Sequence, residues 1–286
     1  MRIDGNIDKI KLLRAKDGVY VYKCLYNNKP AVLKSFEKEE YKREIANYRI
    51  LQKNEIPTIN IYAFYDSAIL MEDIEFSADW RLGIKDDLSS GQVAKSLASW
   101  YFNFHEKGAL APEINSLYCE YDKVTEANIQ SLWDKLPEAA ETFRYIMSNI
   151  KNLREAINSL DYTLTYNDFY WTNFIVRKDN QAAIMFDYNF LGKGFRYADI
   201  RNVCSSLSED AATAFVGEYN RLYESKHGTG RGAKEQFEKQ VDGVVSTIFT
   251  LIAAFEKDAF PSWAKDERES AINGSLQKAA WDLFKI

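Results

Sequence analysis

The chain has 286 residues, 46% hydrophobic and 28% charged, and its 37 lysines and arginines against 42 acids leave a formal charge of −5. That length suits one large domain or two unequal lobes around a sizeable core. The mild acidic balance argues against a general nucleic-acid binder and leaves room for cationic small molecules. Cys24, Cys119 and Cys204 form neither a CxxC pair nor a disulfide framework, so a reducing, cytoplasmic setting is expected. The N-terminal stretch has no apolar h-region, and no uncharged apolar run reaches membrane-spanning length, so neither a signal peptide nor a membrane partner is expected.

The first part reads as strands. Ile10 to Arg14 is a short apolar and basic run, followed by a turn over Ala15 to Gly18. Val19 to Tyr26 is rich in β-branched and aromatic residues, Asn27 to Pro30 is a hairpin turn, and Ala31 to Ser35 is a third strand. From Glu37 to Leu51 the period becomes helical, with Tyr41, Ile45, Tyr48 and Leu51 on one face. Pro57 marks a break, and Thr58–Phe64 and Ala68–Met71 read as two more strands. Five strands with one helix after the third make a small α+β unit.

After Met71 to Ile74 the pattern turns mostly helical. Ser89 to Gln92 fits a capping box ahead of the stripe Val93, Leu97, Trp100, Tyr101 and Phe104. Further helices are expected over Thr125–Leu136, Glu138–Leu160, Asp199–Leu207, Glu209–Ser225, Gln236–Glu256 and Glu267–Phe284. Gly228 to Gly232 superficially suggests a phosphate loop. It follows no strand and lies between helices, so it reads as a linker.

The chemistry concentrates between Leu164 and Asp187. Asp168 is followed five residues later by Asn173. An apolar run (Phe174 to Val176), a polar turn and a second apolar run (Ala182 to Phe186) then lead to Asp187. A β-hairpin here is a rigid ruler that returns Asp187 to the neighbourhood of Asp168 and Asn173. Two carboxylates and an amide oxygen beside a loop can bind a hard cation and position a hydroxyl. Each residue alone reads as a turn former; the hairpin makes the combination informative. Upstream, Lys34 sits in an otherwise apolar strand and needs either an exposed face or a partner. Glu44, ten residues on, is a geometrically sensible one. With two histidines and no ligand pairing, a zinc site is not expected; His105 reads as a packed residue.

Lys34, Glu44, an apolar segment leading to Met71–Ile74, the D-x4-N of Asp168 and Asn173, and Asp187 after a hairpin resemble the protein-kinase-like fold. The resemblance is to its small-molecule branch, the aminoglycoside phosphotransferase and choline/ethanolamine kinase superfamily. That family's loop H-[G/N]-D-x4-N corresponds here to Tyr166–Asn173. The resemblance covers roughly Ile10 to Leu207 and implies an α+β, two-lobed fold. Residues 1–73 would form a small five-stranded nucleotide-binding lobe with one helix, and residues 74–286 a larger, mostly helical catalytic and acceptor-binding lobe.

The roles follow residue by residue as implications of that resemblance. Asp168 would accept or orient the proton of the acceptor hydroxyl. Asn173 and Asp187 would hold Mg²⁺ against the phosphates of ATP or GTP. Lys34, held by Glu44, would contact those phosphates, and Met71, Glu72, Asp73 and Ile74 would form the hinge that binds the base. Asp199 would brace the catalytic loop, together with Tyr166. Lys16, Asp17 and Gly18 would form the phosphate loop. Apart from the resemblance, Trp171 lies inside the catalytic loop, where an exposed indole would contact the acceptor, a cationic or sugar-like small molecule, the alternative being simple packing. Three departures stand out. Tyr166 replaces the family histidine, the phosphate loop has one glycine, and Asn189 stands where choline kinases carry a carboxylate. The implied activity is ATP-dependent phosphorylation of a small-molecule hydroxyl. The alternatives are a choline, ethanolamine or other metabolite kinase, and a nucleotide-binding pseudokinase scaffold.

Overall fold

The computed structural model describes residues 7–285, so part of the N-terminal stretch read above for a leader lies outside the described residues. Five antiparallel strands, β1 (Ile7–Lys16), β2 (Val19–Tyr26), β3 (Lys29–Phe36), β4 (Ile61–Phe64) and β5 (Ala68–Glu72), form a sheet in the order β1-β2-β3-β5-β4. The first two connections are tighter than expected. Asp17 and Gly18 (φ 53° and 87°) and Asn27 and Asn28 (φ 50° and 62°) are two-residue turns with left-handed backbone. That geometry matches the twist of the strands and lets β1 and β3 run up to the turn on either side. One helix, α1 (Glu39–Lys53), is inserted between β3 and β4. Its buried face carries two polar residues, Glu44 and Asn47, among Ile45, Tyr48 and Leu51.

The rest is helical around short strands. Helix α2 (Gly91–Gly108) is capped by Ser90, whose hydroxyl accepts from the Val93 N–H at 3.3 Å, so the cap lies one residue beyond the expected Ser89. The short β6 (Trp80–Leu82), which no sequence period reveals, pairs with β8 (Phe174–Arg177), and β8 with β9 (Ala183–Met185). Separately, β7 (Thr163–Thr165) pairs with β10 (Gly192–Gly194). Between α2 and β7 lie α3 (Glu126–Lys135), α4 (Ala140–Ser148) and α5 (Ile150–Asn158). The single helix expected over Glu138–Leu160 is therefore two. They part at Asn149, whose side-chain amide donates back to the Tyr145 carbonyl at 2.9 Å and competes with the helical ladder. After β10 come α6 (Arg196–Cys204), α7 (Glu209–His227), α8 (Arg231–Phe255), α9 (Lys265–Ile272) and α10 (Ser275–Leu283). The last two replace one expected helix and part before Gly274, which sits at φ 83°. The glycine tract joins α7 to α8, but α8 already begins at Arg231, five residues earlier than the pattern indicated.

One hydrophobic cluster ties the sheet-side helix to the centre of the molecule. Ile45, Tyr48 and Leu51 of α1 share it with Leu97, Trp100 and Phe104 of α2 and with Tyr166 and Tyr188. A second cluster gathers the distal helices α3, α4, α5, α8, α9 and α10. Helix α2 approaches β7 closely at its last residue. A Cβ on Gly108 would lie 2.7 Å from the Leu164 Cβ and 2.8 Å from the Leu164 nitrogen. Gly108→Ala is therefore expected to lower stability by about 1–3 kcal/mol through overpacking. Urea unfolding checks it: the midpoint falls with the slope unchanged.

Candidate active site

The strand alternation of β3 decides where Lys34 goes. Lys34 lies opposite Val21 on β2 and Ile69 on β5, and Val32 opposite Met71, so these side chains share one face of the sheet. On that face the Lys34 Nζ donates to Glu44 Oε1 (2.8 Å), Glu44 Oε2 (2.7 Å) and Asp187 Oδ1 (2.9 Å). The lysine side chain is 12% exposed and that of Glu44 2%. Burial alone would lower the lysine's pKa; the charges of Glu44 and Asp187 outweigh it and hold the ammonium form. Burial pushes the Glu44 carboxyl up, with Lys34 opposing.

The loop between β7 and β8 is held by its backbone. The Asp199 carboxylate accepts from the Tyr166 N–H (2.9 Å) and the Asn167 N–H (3.1 Å). Asn167 itself takes the left-handed φ of 63° that asparagine tolerates. Asp199 also meets His105 Nε2 at 3.1 Å, and His105 Nδ1 meets the Tyr219 hydroxyl at 2.7 Å. Burial lowers the His105 pKa, so the ring is neutral near pH 7. The partners then fix the tautomer: Nε2–H donates to Asp199 and Nδ1 accepts from Tyr219.

Further along the loop, Asn173 Nδ2 donates to the Asp168 carbonyl (3.1 Å) and to Asp168 Oδ2 (3.0 Å). The β8–β9 hairpin then pairs Phe174 with Met185, and the Phe186 N–H donates to the Asn173 carbonyl at 2.9 Å. This returns the chain to the loop one residue before Asp187. Burial first, and then the nearby Asp187 charge, push the Asp168 carboxyl up to about 6. Asp187 has φ 64°, a conformation that costs a non-glycine residue about 1–3 kcal/mol. Its N–H donates to the Tyr48 hydroxyl at 3.1 Å, and the Tyr166 hydroxyl donates to the carbonyls of Phe186 and Asp187.

The other expected positions fall as follows. Met71, Asp73 and Ile74 are buried at the end of the sheet. The Glu72 N–H donates to the Asn60 carbonyl, and Asp73 Oδ1 accepts from the Glu75 N–H at 3.2 Å. Lys23, on the same sheet face as Val32, pairs with Glu75 and lies 3.7 Å from Asp73. Lys16 and Asp17 are exposed at the tip of the β1–β2 turn, and the Gly18 carbonyl accepts from the Glu37 N–H. Trp171 is half-buried against the central cluster, with its carbonyl 2.5 Å from where a Cβ on Gly83 would sit. Its neighbour Tyr170 is the exposed ring, at 54%. Asn189 accepts from Arg43 Nε at 3.1 Å.

The structure thus brings Lys34, Glu44, Asp168, Asn173 and Asp187 into one cluster and ties Asp199 to its loop. The sequence reading passed over Asn47, Tyr48 and His105 as site residues. The one available signal was general: a buried tyrosine or histidine needs a polar partner, and none lay nearby in the chain.

The family model described as the phosphotransferase enzyme family matches residues 10–235, from β1 into α8. Comparison with curated protein sequences finds no match. Among solved structures, the chain is similar to the choline kinase LicA of Streptococcus pneumoniae, with 16% identity and a TM-score of 0.60 over 95% of this chain and 94% of that one. It is similar to the macrolide 2'-phosphotransferase MphH of Brachybacterium faecium, with 13% identity and a TM-score of 0.58 over 94% of each chain. A spectinomycin phosphotransferase solved with ADP and spectinomycin gives 12% identity and a TM-score of 0.51 over 98% of this chain and 94% of that one. At these identities the likeness is one of fold, and that fold is the two-lobed kinase-like one. The family match spans the whole cluster from Lys34 to Asp199, and the chain belongs to the phosphotransferase enzyme family: it is a small-molecule phosphotransferase.

Proposed function

We propose that the protein transfers the terminal phosphoryl group of ATP, carried with Mg²⁺, to a hydroxyl of a small molecule. One observation carries the reading: a single buried ammonium, Lys34, meets both Glu44 and Asp187, beside the coupled pair Asp168 and Asn173. Phosphoryl transfer asks for positioning and charge neutralisation, and such a set supplies both. Among the described residues no group of three or more His, Cys, Asp and Glu side chains forms a metal cage. Mg²⁺ that arrives with phosphates needs only one or two carboxylates, so Asp187 with Asn173 fits that ion. When bound, it would supply charge neutralisation at the phosphate oxygens.

The chain's own residues do the rest. Lys34 faces the phosphate oxygens, and Met71 to Ile74 line the base slot through their backbone, with the lobe boundary after Asp73. Lys16, Asp17 and Gly18 sit on the β1–β2 tip, which closes over the phosphates. Asn173 occupies Asp168 Oδ2, leaving Oδ1 for the acceptor hydroxyl. As the hydroxyl oxygen bonds to the γ-phosphorus and the bond to the bridging oxygen of ADP breaks, the hydroxyl proton passes to Asp168. Asp199 keeps the loop amides fixed meanwhile.

A cationic acceptor, or a sugar carrying amines, is supported by the formal charge of −5. Trp171, with the exposed Tyr170 beside it, would offer that acceptor an aromatic edge. The reading carries a cytoplasmic setting, where ATP is available. No described helix is long and apolar enough to cross a membrane.

Calorimetry with ATP and GTP, with and without Mg²⁺, followed by an acceptor panel of aminoglycosides, macrolides, choline and ethanolamine, tests the proposal. Absence of nucleotide binding under every condition would sink it. Asp168→Asn is expected to lower turnover by about 10²–10⁴-fold while nucleotide affinity holds. Asp187→Ala is expected to weaken Mg·ATP binding itself; lost turnover with unchanged binding would contradict its metal role.

The pH profile gives a separate check. Asp168 acts in its ionised form, and that fraction grows as pH rises through its raised pKa. The rate, measured as kcat/KM, is therefore expected to fall on the acid side of about 6 and to level off at higher pH. A limb centred near the ordinary aspartate value of about 4 would show that Asp168 is not the group that titrates.

A further inference from the structure

Asp187 is held through its backbone as firmly as through its carboxylate. Its N–H is accepted by the Tyr48 hydroxyl at 3.1 Å. The Tyr166 hydroxyl donates to the Phe186 carbonyl and to the Asp187 carbonyl, the latter at 3.1 Å. The peptide groups on both sides of the left-handed residue are therefore tied by two phenols.

Neither phenol can swing aside cheaply. Both rings are fully buried, and Tyr188 stands between them. Tyr48 meets Tyr188 edge-on with centroids 5.0 Å apart, and Tyr166 meets it edge-on at 5.5 Å. The Tyr188 carbonyl is taken by Asn47 Nδ2 at 2.7 Å, on the same face of α1 as Tyr48. The two phenols also come from different elements. Tyr166 opens the catalytic loop, and Tyr48 rides one turn after Glu44 on α1. A displacement of α1 therefore moves the Lys34 partner and the Asp187 backbone together.

We propose that Tyr48 and Tyr166 are paired positioning residues that hold the Asp187 backbone in its left-handed turn, so that its carboxylate faces the site in a geometry ready for the metal. This rests on the reading of Asp187 as a metal ligand. Tyr166 stands where the family motif has histidine; here a hydroxyl reaches the metal loop from that position. It has one proton for two carbonyls, which leaves the N–H side of Asp187 to a second group. Tyr48 is that group. Without the pair, Asp187 relaxes toward ordinary backbone angles, and its side chain leaves Lys34.

The test uses the full chain with Tyr48→Phe and Tyr166→Phe, and Tyr188→Phe as control. The Tyr188 hydroxyl donates to the Met185 carbonyl at 2.6 Å, on the strand and outside the turn. Two readouts are taken: amide hydrogen exchange at Asp187 in the nucleotide-free protein, and calorimetric ATP affinity in EDTA and in Mg²⁺. In Tyr48→Phe, exchange at Asp187 is expected to rise about tenfold. In both clamp variants the gain in ATP affinity conferred by Mg²⁺ is expected to shrink about five- to tenfold, with affinity in EDTA held within about twofold.

The control is expected to change neither quantity. Unchanged exchange together with an unchanged Mg²⁺ gain overturns the proposal. So does an equal loss in Tyr188→Phe, which would mean general loosening of the aromatic cluster. If Tyr166→Phe does not fold, Tyr48→Phe decides alone, because it leaves the catalytic-loop bonds intact. A wild-type protein whose ATP affinity ignores Mg²⁺ overturns the metal reading itself; the exchange readout still decides whether the phenols hold the turn.

Discussion

The structure depends on one buried cation. Lys34 brings together a carboxylate ten residues away on α1 and another 153 residues away after the β8–β9 hairpin. Removing a charge from water costs several kcal/mol, and an ion pair offsets that only with good geometry and few loose ends. Here the lysine donates to Glu44 through both carboxylate oxygens and to Asp187 through one, so all three ammonium protons are used. Such an arrangement adds little to stability compared with an apolar substitute. Its value is in specification. The sheet, α1 and the distal hairpin must be in register with one another before the charge is satisfied.

The same economy governs the loop between β7 and β8. The loop that carries Asp168 does not satisfy these amides with its own secondary structure, and the molecule supplies an acceptor from α6. Asp199 takes two loop N–H groups and one imidazole, and it is 1% exposed. A neutral His105 relays the arrangement to Tyr219 on α7. The chain of bonds therefore runs from α7 through α2 and α6 into the loop, and its members lie far apart in sequence. Glu106, next to His105, accepts from Arg196, Lys226 and His227, so α6 and the end of α7 are pinned to α2 a second time. These contacts hold the floor against which Asp168 is positioned.

The residues legible in the sequence were those whose spacing is set by local geometry. Asp168 and Asn173 lie within one loop, and a short hairpin of two apolar runs measures the distance from Asn173 to Asp187. Lys34 was legible because it interrupts an apolar strand. Periodicity also placed most helices, but it ran through Asn149 and Gly274, where a side chain or a left-handed backbone ends the ladder. A three-residue strand such as β6 has no period to detect. Tyr48 and His105 were illegible as site residues for a different reason: their partners lie 139 and 94 residues away. On a helical stripe they look like any other core residue. Only the requirement that buried polar atoms be bonded marks them, and it does not say to what.

At Tyr166 a phenol stands where the family motif has histidine. It connects the loop that carries Asp168 to the backbone that carries Asp187 by donating to the carbonyls there. A phenol is a longer lever than an imidazole, and it needs a wider aromatic pocket. That pocket is present: Trp100, Tyr101 and Tyr188 surround the ring edge-on, with centroids 5.5 to 6.5 Å away. The phenol stays protonated, because burial, and then the negative charge of Asp187, push its pKa well above the ordinary value. It is therefore a fixed donor across the whole physiological range, whereas a histidine there could change charge within it. In the proposed reaction the titrating group is then Asp168, which receives the proton of the acceptor hydroxyl.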